Sequence, residues 1–302
     1  MKFSIPDRIF GIVNTVFLML CLIVVVYPLY FVIIASISEP YMVGMGQVRF
    51  LPAGFTLEGY RNVLRNSDIW MGYRNAIYYT FFGTLLNLFL TIPSAYALSK
   101  SKLPLRKGLS IFFLITIYFS GGLIPYYLLV RSLNLINQHY TMIVLNGVNA
   151  LFIIVTRTYF ATSIPDELYE AAHIDGASEL TSFFKIALPL AKPIIAVMTL
   201  YYAAFRWNDY FNAMIFLFNR DLFPLQLILS NILSQSQNAV LEALNNQGAL
   251  DPVNVMDRAR LVYLAETMKY AMIIIASAPM LIMYPFVQKH FVKGVMIGSL
   301  KG

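Results

Sequence analysis

Long apolar runs dominate this sequence and restrict the folds that it can adopt. Each of six segments holds about twenty or more predominantly apolar residues, the length that an α-helix needs to cross a bilayer. Of the 302 residues, 59% are hydrophobic and 12% are charged, and a soluble domain of this length would carry more charge. We therefore predict an all-α, polytopic membrane protein with six transmembrane helices. The predicted spans are Phe10–Ser36, Ala76–Leu98, Leu109–Val130, Thr141–Phe160, Ile194–Phe218 and Tyr270–Gln288.

Basic residues in two segments predict the orientation of these spans. One group lies between the second and third spans and the other follows the sixth: Lys100, Lys102, Arg106 and Lys107, then Lys289, Lys293 and Lys301. Lysine and arginine accumulate in cytoplasmic loops, so we expect both termini in the cytoplasm and segments 37–75 and 219–269 outside. The first apolar run is far longer than the apolar part of a signal peptide, and we expect a retained helix.

Several other functions are disfavoured by the composition. The net charge of +7 is explained by loop lysines and arginines, without a nucleic-acid partner. Cys21 is the single cysteine, so a disulfide framework is not possible. His139, His173 and His290 are too scattered to suggest a metal site, and the sequence has no phosphate-binding G-x4-GK[ST] loop. We therefore expect neither a bound metal nor ATP hydrolysis by this chain.

One polar segment, EAAHIDGASELTSFFKIALPLAKP, interrupts the apolar runs between the fourth and fifth spans. Ser163 is predicted to cap a first helix, which should end at Gly176 because glycine adopts the left-handed conformation of a helix end. Ser178 is predicted to cap a second helix that ends at Pro189. From spacing alone, two such helices suit a docking surface and a simple connector equally well.

A polar cluster lies inside the fifth predicted span, where uncompensated polar groups are costly. Its members are Arg206, Trp207, Asn208, Asp209 and Asn212. Arg206 and Asp209 share a helix face and could form an ion pair. An aromatic ring beside amide and charged groups suits a sugar, and an arginine suits a uronate carboxylate. Two interpretations stay open: the cluster lines a translocation path, or an internal ion pair orders the packing of the helices.

The polar segment resembles the EAA signature of ABC-importer permeases. The matching residues are Glu170, Ala171, Ala172, Asp175, Gly176, Ala177, Phe183, Pro189 and Pro193. Other stretches are similar to the carbohydrate-uptake branch, which includes the smaller maltose-type permease subunit: FTLEGYRNVL (Phe55–Leu64), SAYALSK (Ser94–Lys100), Trp207–Asn208 and the tail Gln288–Gly302. The tail is most similar to permeases for complex, uronate-containing oligosaccharides. The resemblance covers nearly the whole chain.

This resemblance implies the type I, binding-protein-dependent importer fold in a bacterial cell membrane, with a cytoplasmic EAA coupling helix. It also implies a second homologous permease subunit, two cytoplasmic ATPase subunits that bind ATP and Mg, and an external solute-binding protein that delivers an oligosaccharide. Residues 163–189, here named the coupling segment, would contact an ATPase subunit. The residues implied in that contact are Glu170, Ala171, Ala172, Asp175, Gly176, Ala177, Phe183 and Pro189. The chain itself would be a transport component without a cofactor, and not an enzyme.

The predicted organisation has three parts. Residues 1–70 form an N-terminal span with an external segment, and residues 71–288 form the core with the coupling segment and a helix-rich external segment, 219–269. Residues 289–302 form a cytoplasmic tail, which the resemblance places within reach of the ATPase subunits. The alternative function is an ion-coupled secondary carrier, which would need carboxylates inside the spans, and Asp209 is the candidate there.

Overall fold

The computed structural model describes residues 5–245 and 263–285, with the exception of residue 266. These residues are mostly helical, and their β-structure is limited to an isolated bridge between Ser38 and Phe55. A π-helical turn, Phe183–Ala187, follows α10, and a 3-10 turn, Arg220–Leu222, precedes α14. The helices are α1 Ile5–Ser36, α2 Pro40–Gly44, α3 Glu58–Leu64, α4 Ser67–Ser99, α5 Arg106–Tyr118, α6 Leu123–Ser132, α7 Thr141–Val144, α8 Ala150–Ser163, α9 Glu167–Ile174, α10 Glu179–Ser182, α11 Leu188–Leu190, α12 Lys192–Trp207, α13 Tyr210–Phe216, α14 Leu225–Asn245 and α15 Tyr263–Pro285.

Three helices in the described part of the chain are long and apolar enough to cross a membrane: α1 from Ile9, α4 and α15. Two pairs of helices meet the same criteria together but are bent, α5 with α6 by 116° and the run Glu179–Leu190 with α12 by 77°. Counting each bent pair as one span gives up to 5 spans, and α8 is a shorter apolar helix. The all-α membrane fold is therefore confirmed, whereas the count of six spans stays a prediction.

Three of the predicted spans are interrupted. The third breaks between Tyr118 and Leu123, where Gly122 has a φ of +82°. The fourth consists of α7 and α8 with residues 145–149 between them, and the fifth breaks after Trp207. Apolar length reports that a segment can lie in a membrane, but it carries no information on where the helix stops. Residues 246–262 of the predicted external segment and the tail 289–302 lie outside the described residues.

The chain forms two compact units, whose boundaries fall within helices. The first unit comprises residues 1–70 and 229–278. There the Ser36 hydroxyl hydrogen-bonds the Tyr60 hydroxyl at 2.8 Å, and the rings of Phe31 and Tyr270 meet edge to face at 5.7 Å. The most apolar window of α1 has no buried residue. This helix therefore presents its apolar side chains outward, as a lipid-facing helix does.

The second unit comprises residues 71–228 and 279–302. Its main core joins α4, α8 and α12 to the coupling segment, because one cluster of buried side chains includes Ile92, Phe160, Phe183 and Tyr202. Phe183 is 7% exposed, so the second helix of the coupling segment is held by its aromatic side chain inside this core. A displacement of that helix must therefore disturb the packing of the long helices.

Candidate functional site

The coupling segment starts later than predicted. Ser163 is the last residue of α8, and it does not cap a new helix. Pro165 disfavours a helical backbone at the residue before it. Ile164 is accordingly extended, with φ −115° and ψ 114°, and α9 begins at Glu167. The prediction that Ser163 caps the first helix was therefore wrong, because the preceding apolar helix extends to this serine.

The turn at Gly176 forms as predicted. Its φ is +77°, a left-handed conformation that glycine adopts without steric cost. The N–H of Ala177 donates to the carbonyl of Ala172 at 2.8 Å, and the N–H of Gly176 donates to that of His173 at 3.1 Å. These two bonds form a Schellman motif, which satisfies the free carbonyls at the end of α9. The turn fixes the direction in which α10 leaves α9.

The second helix of the coupling segment begins as predicted but ends later. The Ser178 hydroxyl accepts a hydrogen bond from the N–H of Thr181 and caps α10. Pro189 was predicted to end this helix, but the helical run continues to Leu190 and the bend follows at Ala191. A π-turn, in which the N–H of Leu188 bonds the carbonyl of Phe183, precedes the proline. The wider turn accommodates the proline ring within the helical run.

The exposed face of the coupling segment combines apolar and acidic side chains. Ala172 is buried, whereas Ala171 and Pro189 are exposed and Ala177 is half-buried. Four large apolar side chains face outward: Leu168, Ile174, Leu180 and Phe184, of which Ile174 is 87% exposed. The exposed acids are Asp166, Glu167, Glu170, Asp175 and Glu179. Exposed large apolar side chains interspersed with charged ones are typical of a surface that binds another protein.

Arg206, from the predicted polar cluster, is buried and fully hydrogen-bonded. It is 5% exposed, and its Nε donates to Oδ1 of Asn87 at 2.8 Å. Its four remaining N–H groups donate to main-chain carbonyls at 2.6 to 3.3 Å, those of Met142, Ile143, Leu145 and Asn146. A guanidinium has five N–H donors, so all of them have acceptors inside the protein. In this structure Arg206 has no donor left for a ligand.

The acceptors of Arg206 lie where the fourth predicted span is broken. The carbonyls at the end of α7 have no partner within their own helix and carry partial negative charge, which a cation stabilises. Asn87, on α4, adds two further bonds of 2.8 Å each, from its Nδ2 to the carbonyls of Asn146 and Gly147. Arg206 and Asn87 together satisfy the main-chain groups that the break exposes.

The other members of the polar cluster lie around the break between α12 and α13. Asp209 accepts from Nδ2 of Asn212 at 2.8 and 2.9 Å and caps α13. The possible ion pair between Arg206 and Asp209 is not formed, since each side chain has other partners. Trp207 is buried, and Asn208 is exposed. A role of this cluster in substrate binding stays a prediction.

Two contacts were not predicted from the sequence. One is the bond between Asn87 and Arg206, and the other is the contact of Lys100 with Tyr169, here named the joint between α4 and the coupling segment. In that joint the Lys100 Nζ lies over the ring of Tyr169. Burial raises the pKa of Tyr169 to about 12, assisted by the charges of Asp166 and Glu179. Burial also lowers the pKa of Lys100, against the opposing effect of the same two acids. In the sequence, Lys100 is indistinguishable from the other basic residues of its loop.

Gly83 allows Arg206 to approach α4. A Cβ at this position would lie 2.8 Å from Nε and 3.0 Å from Cδ of Arg206. Because the guanidinium is held by five bonds, we expect Gly83→Leu to destabilise the protein by about 1–3 kcal/mol, the usual cost of overpacking. The thermal unfolding midpoint in detergent measures this effect. Gly108→Leu is the matched control, since a Cβ there meets nothing within 4 Å. Equal midpoints for the two variants would contradict the expectation.

These features define a polytopic helical membrane protein with a pair of short helices at one end of its core and broken helices within it. Its sequence belongs to the family described as the binding-protein-dependent transport system inner membrane component, which matches residues 69–297. The match covers the coupling segment and the polar cluster.

Several relatives are similar over nearly the full length of this chain. The polygalacturonan/rhamnogalacturonan transport system permease protein YtcP of Bacillus subtilis is 34% identical over 98% of this chain and 99% of its own. The arabinooligosaccharides transport system permease protein AraQ of Halalkalibacterium halodurans is 26% identical over 92% of each chain. A chain in the crystal structure of a bacterial ABC transporter involved in the import of the acidic polysaccharide alginate is 35% identical, with a TM-score of 0.81 over 96% of this chain and 99% of that one.

The resemblance to sugar ABC-importer permeases is thus confirmed, and with it the type I importer fold. Membership of the inner membrane components of binding-protein-dependent systems favours an importer over the ion-coupled secondary carrier, and the ATP-driven mechanism stays a prediction. Permeases of this kind are transport subunits. The individual roles of the residues in the coupling segment and in the polar cluster stay predictions.

Proposed function

We propose that this chain is one of two permease subunits of an ATP-driven importer for acidic oligosaccharides. The observation that carries the proposal is the full-length similarity, at 34% and 35% identity, to a polygalacturonan/rhamnogalacturonan permease and to a chain of an alginate transporter. Both polygalacturonan and alginate are polymers of uronic acids. The partners are a second homologous permease, two cytoplasmic ATPase subunits that bind ATP and Mg, and an external solute-binding protein.

The coupling segment is the surface that receives the ATPase. Its exposed apolar side chains, such as Ile174 and Phe184, support insertion into a groove of the partner, and its exposed acids favour a basic rim around that groove. Phe183 and Ala187 lie in the same buried cluster as Tyr202, so closure of the ATPase subunits moves the long helices as well. Alternating access of the core follows from that movement.

The substrate passes along the broken helices. Non-helical backbone at membrane depth occurs where it is buried in protein or lines a cavity filled with water. Asn208 is exposed at the break between α12 and α13, and Asp209 and Asn212 are half-buried beside it. Their amide and carboxylate groups suit the hydroxyls of a sugar, and amide donors can bind a uronate carboxylate. Arg206 holds the break between α7 and α8, and the ring of the buried Trp207 lies 6.2 Å from that of Tyr73.

The orientation follows from the basic loops, with both termini and the coupling segment in the cytoplasm of a bacterial cell. The tail 289–302 lies outside the described residues, and we assign it a contact with the ATPase subunits on the resemblance alone. The first helix is embedded in the membrane, and segment 37–75 faces outward.

Transport by the complete complex tests the proposal. In proteoliposomes with the solute-binding protein outside, we expect uptake of labelled short oligogalacturonides that needs ATP inside. Uptake should be lost when the catalytic glutamate of the ATPase subunits is replaced by glutamine, and it should persist when ionophores collapse the ion gradients. Excess arabino-oligosaccharides should not compete. Uptake that persists with the disabled ATPase would refute the ATP-driven mechanism, and effective competition by the neutral sugar would refute the acidic substrate.

A further inference from the structure

The end of α4 next to the coupling segment makes close contacts with both of its helices. The Lys100 Nζ lies 2.8 Å from the ring centroid of Tyr169, on α9, and 4.7 Å from that of Tyr96, on α4. Tyr96 is also 5.0 Å from the ring of Phe183, which follows α10, and 6.0 Å from that of Tyr169. Lys100, directly after α4, therefore contacts α9, and Tyr96 of α4 contacts both halves of the coupling segment.

The joint is buried and charged. Tyr96 and Phe183 are each 7% exposed, and Lys100 is half-buried. The acids that act on Lys100 are Glu179 and Asp166, one from each side of the Gly176 turn. A partly desolvated ammonium over an aromatic face is held more tightly than an exposed one. The Tyr169 hydroxyl is buried and has no hydrogen-bond partner among the described residues. A shift of α9 could bring this hydroxyl to a partner.

The same helix continues to the centre of the core. The Thr91 hydroxyl bonds the Tyr202 hydroxyl at 2.6 Å, and Asn87 bonds Arg206 and the broken fourth span. Asn87 and Lys100 are 13 positions apart in the sequence, which corresponds to about 20 Å along a helix. A movement of the coupling segment that shifts this end of α4 therefore also shifts Asn87, in the middle of α4, which bonds the break in the fourth span.

We infer that Lys100 is a positioning residue that ties the coupling segment to α4, so that movement of the segment reaches the broken helices through α4 as well as through α12. This inference rests on the proposed function, since it concerns transmission from the ATPase subunits. A purely topological role is the competing explanation, because Lys100 belongs to a basic loop. Lys107, exposed in the first turn of α5, shares that topological role but lies outside the joint.

The test is a double-mutant cycle in the complete complex, reconstituted with its solute-binding protein and supplied with short oligogalacturonides. Lys100→Met and Tyr169→Leu should each raise the ATP hydrolysed per sugar transported by about threefold to tenfold, the size expected from loss of such a contact. The double variant should be no worse than the worse single variant. Lys100→Arg should retain the wild-type ratio of ATP hydrolysed to sugar transported, because it keeps the cation. Lys107→Met should have the same ratio as the wild type.

The outcomes separate this inference from the proposed function. A wild-type complex that shows no ATP-dependent uptake refutes the proposed function. Wild-type coupling that Lys100→Met leaves unchanged, or effects that add in the double variant, refute the inference alone. Subunit assembly is measured by co-purification of the ATPase. Loss of assembly in Lys100→Met with normal assembly in Lys107→Met would mean that Lys100 holds the docking surface, which also overturns the inference.

Discussion

Uptake of oligogalacturonides is expected to fall together with the stability of the protein when Arg206 is replaced by methionine. The change removes all five donors of the guanidinium and leaves the carbonyls at the broken end of α7, with Oδ1 of Asn87, without these partners. Leaving a buried neutral acceptor without its hydrogen-bond donor costs about 1–3 kcal/mol. The free energy of unfolding in mixed micelles measures the loss, and uptake of oligogalacturonides measures its consequence.

Two further variants make the result specific. Arg206→Lys keeps the charge but cannot reproduce the planar fork, so we expect an intermediate loss of stability. Arg131→Met, on an exposed arginine of α6, should leave both stability and uptake unchanged. If Arg206→Met instead retained its stability and lost the uptake of oligogalacturonides, the guanidinium would be a ligand for the uronate carboxylate, and its positioning role would be refuted.

Arg206 also illustrates what a sequence can predict about this protein. Its position inside an apolar span indicated that its charge must have partners, and Asp209 was the nearest candidate on the same helix face. Its actual partners are the Asn87 side chain, 119 positions away, and four main-chain carbonyls of residues 142–146. Such a pairing depends on how α4 and α12 pack, and on a glycine at position 83 that lets the arginine approach. Local spacing contains neither piece of information.

The coupling segment shows the opposite case, because its turn depends on local chemistry. Gly176 and Ser178 were predicted correctly, since a left-handed helix end and a hydroxyl cap each depend on a few consecutive residues. Ser163 and Pro189 were predicted wrongly because their roles depend on neighbouring elements. α8 continues to the serine, and a π-turn accommodates the proline. Apolar length located the long helices α1 and α4 but not the breaks in the third, fourth and fifth predicted spans.

The largest effect expected in the coupling segment is that of Gly176→Pro. Proline fixes φ near −65°, whereas the turn requires +77°, and the substitution also removes the N–H that bonds the carbonyl of His173. The Schellman turn should therefore open, at a local cost of about 3 kcal/mol or more. Because this turn sets the angle between α9 and α10, the two helices no longer present one surface to the ATPase. We expect the ATPase subunits to stop co-purifying with a permease whose spans remain inserted.

Gly46 provides a matched control for this experiment. It also has a positive φ, +69°, its N–H bonds the carbonyl of Val43 at 3.0 Å, and a Cβ there would meet nothing within 4 Å, as at Gly176. Gly46→Pro imposes the same backbone conflict outside the coupling segment and should leave the ATPase bound. Gly176→Asn should also retain it, because asparagine tolerates the left-handed conformation. Normal co-purification with Gly176→Pro would mean that docking does not need the angle between α9 and α10. Equal loss with Gly46→Pro would mean that backbone strain anywhere in the chain disrupts the complex.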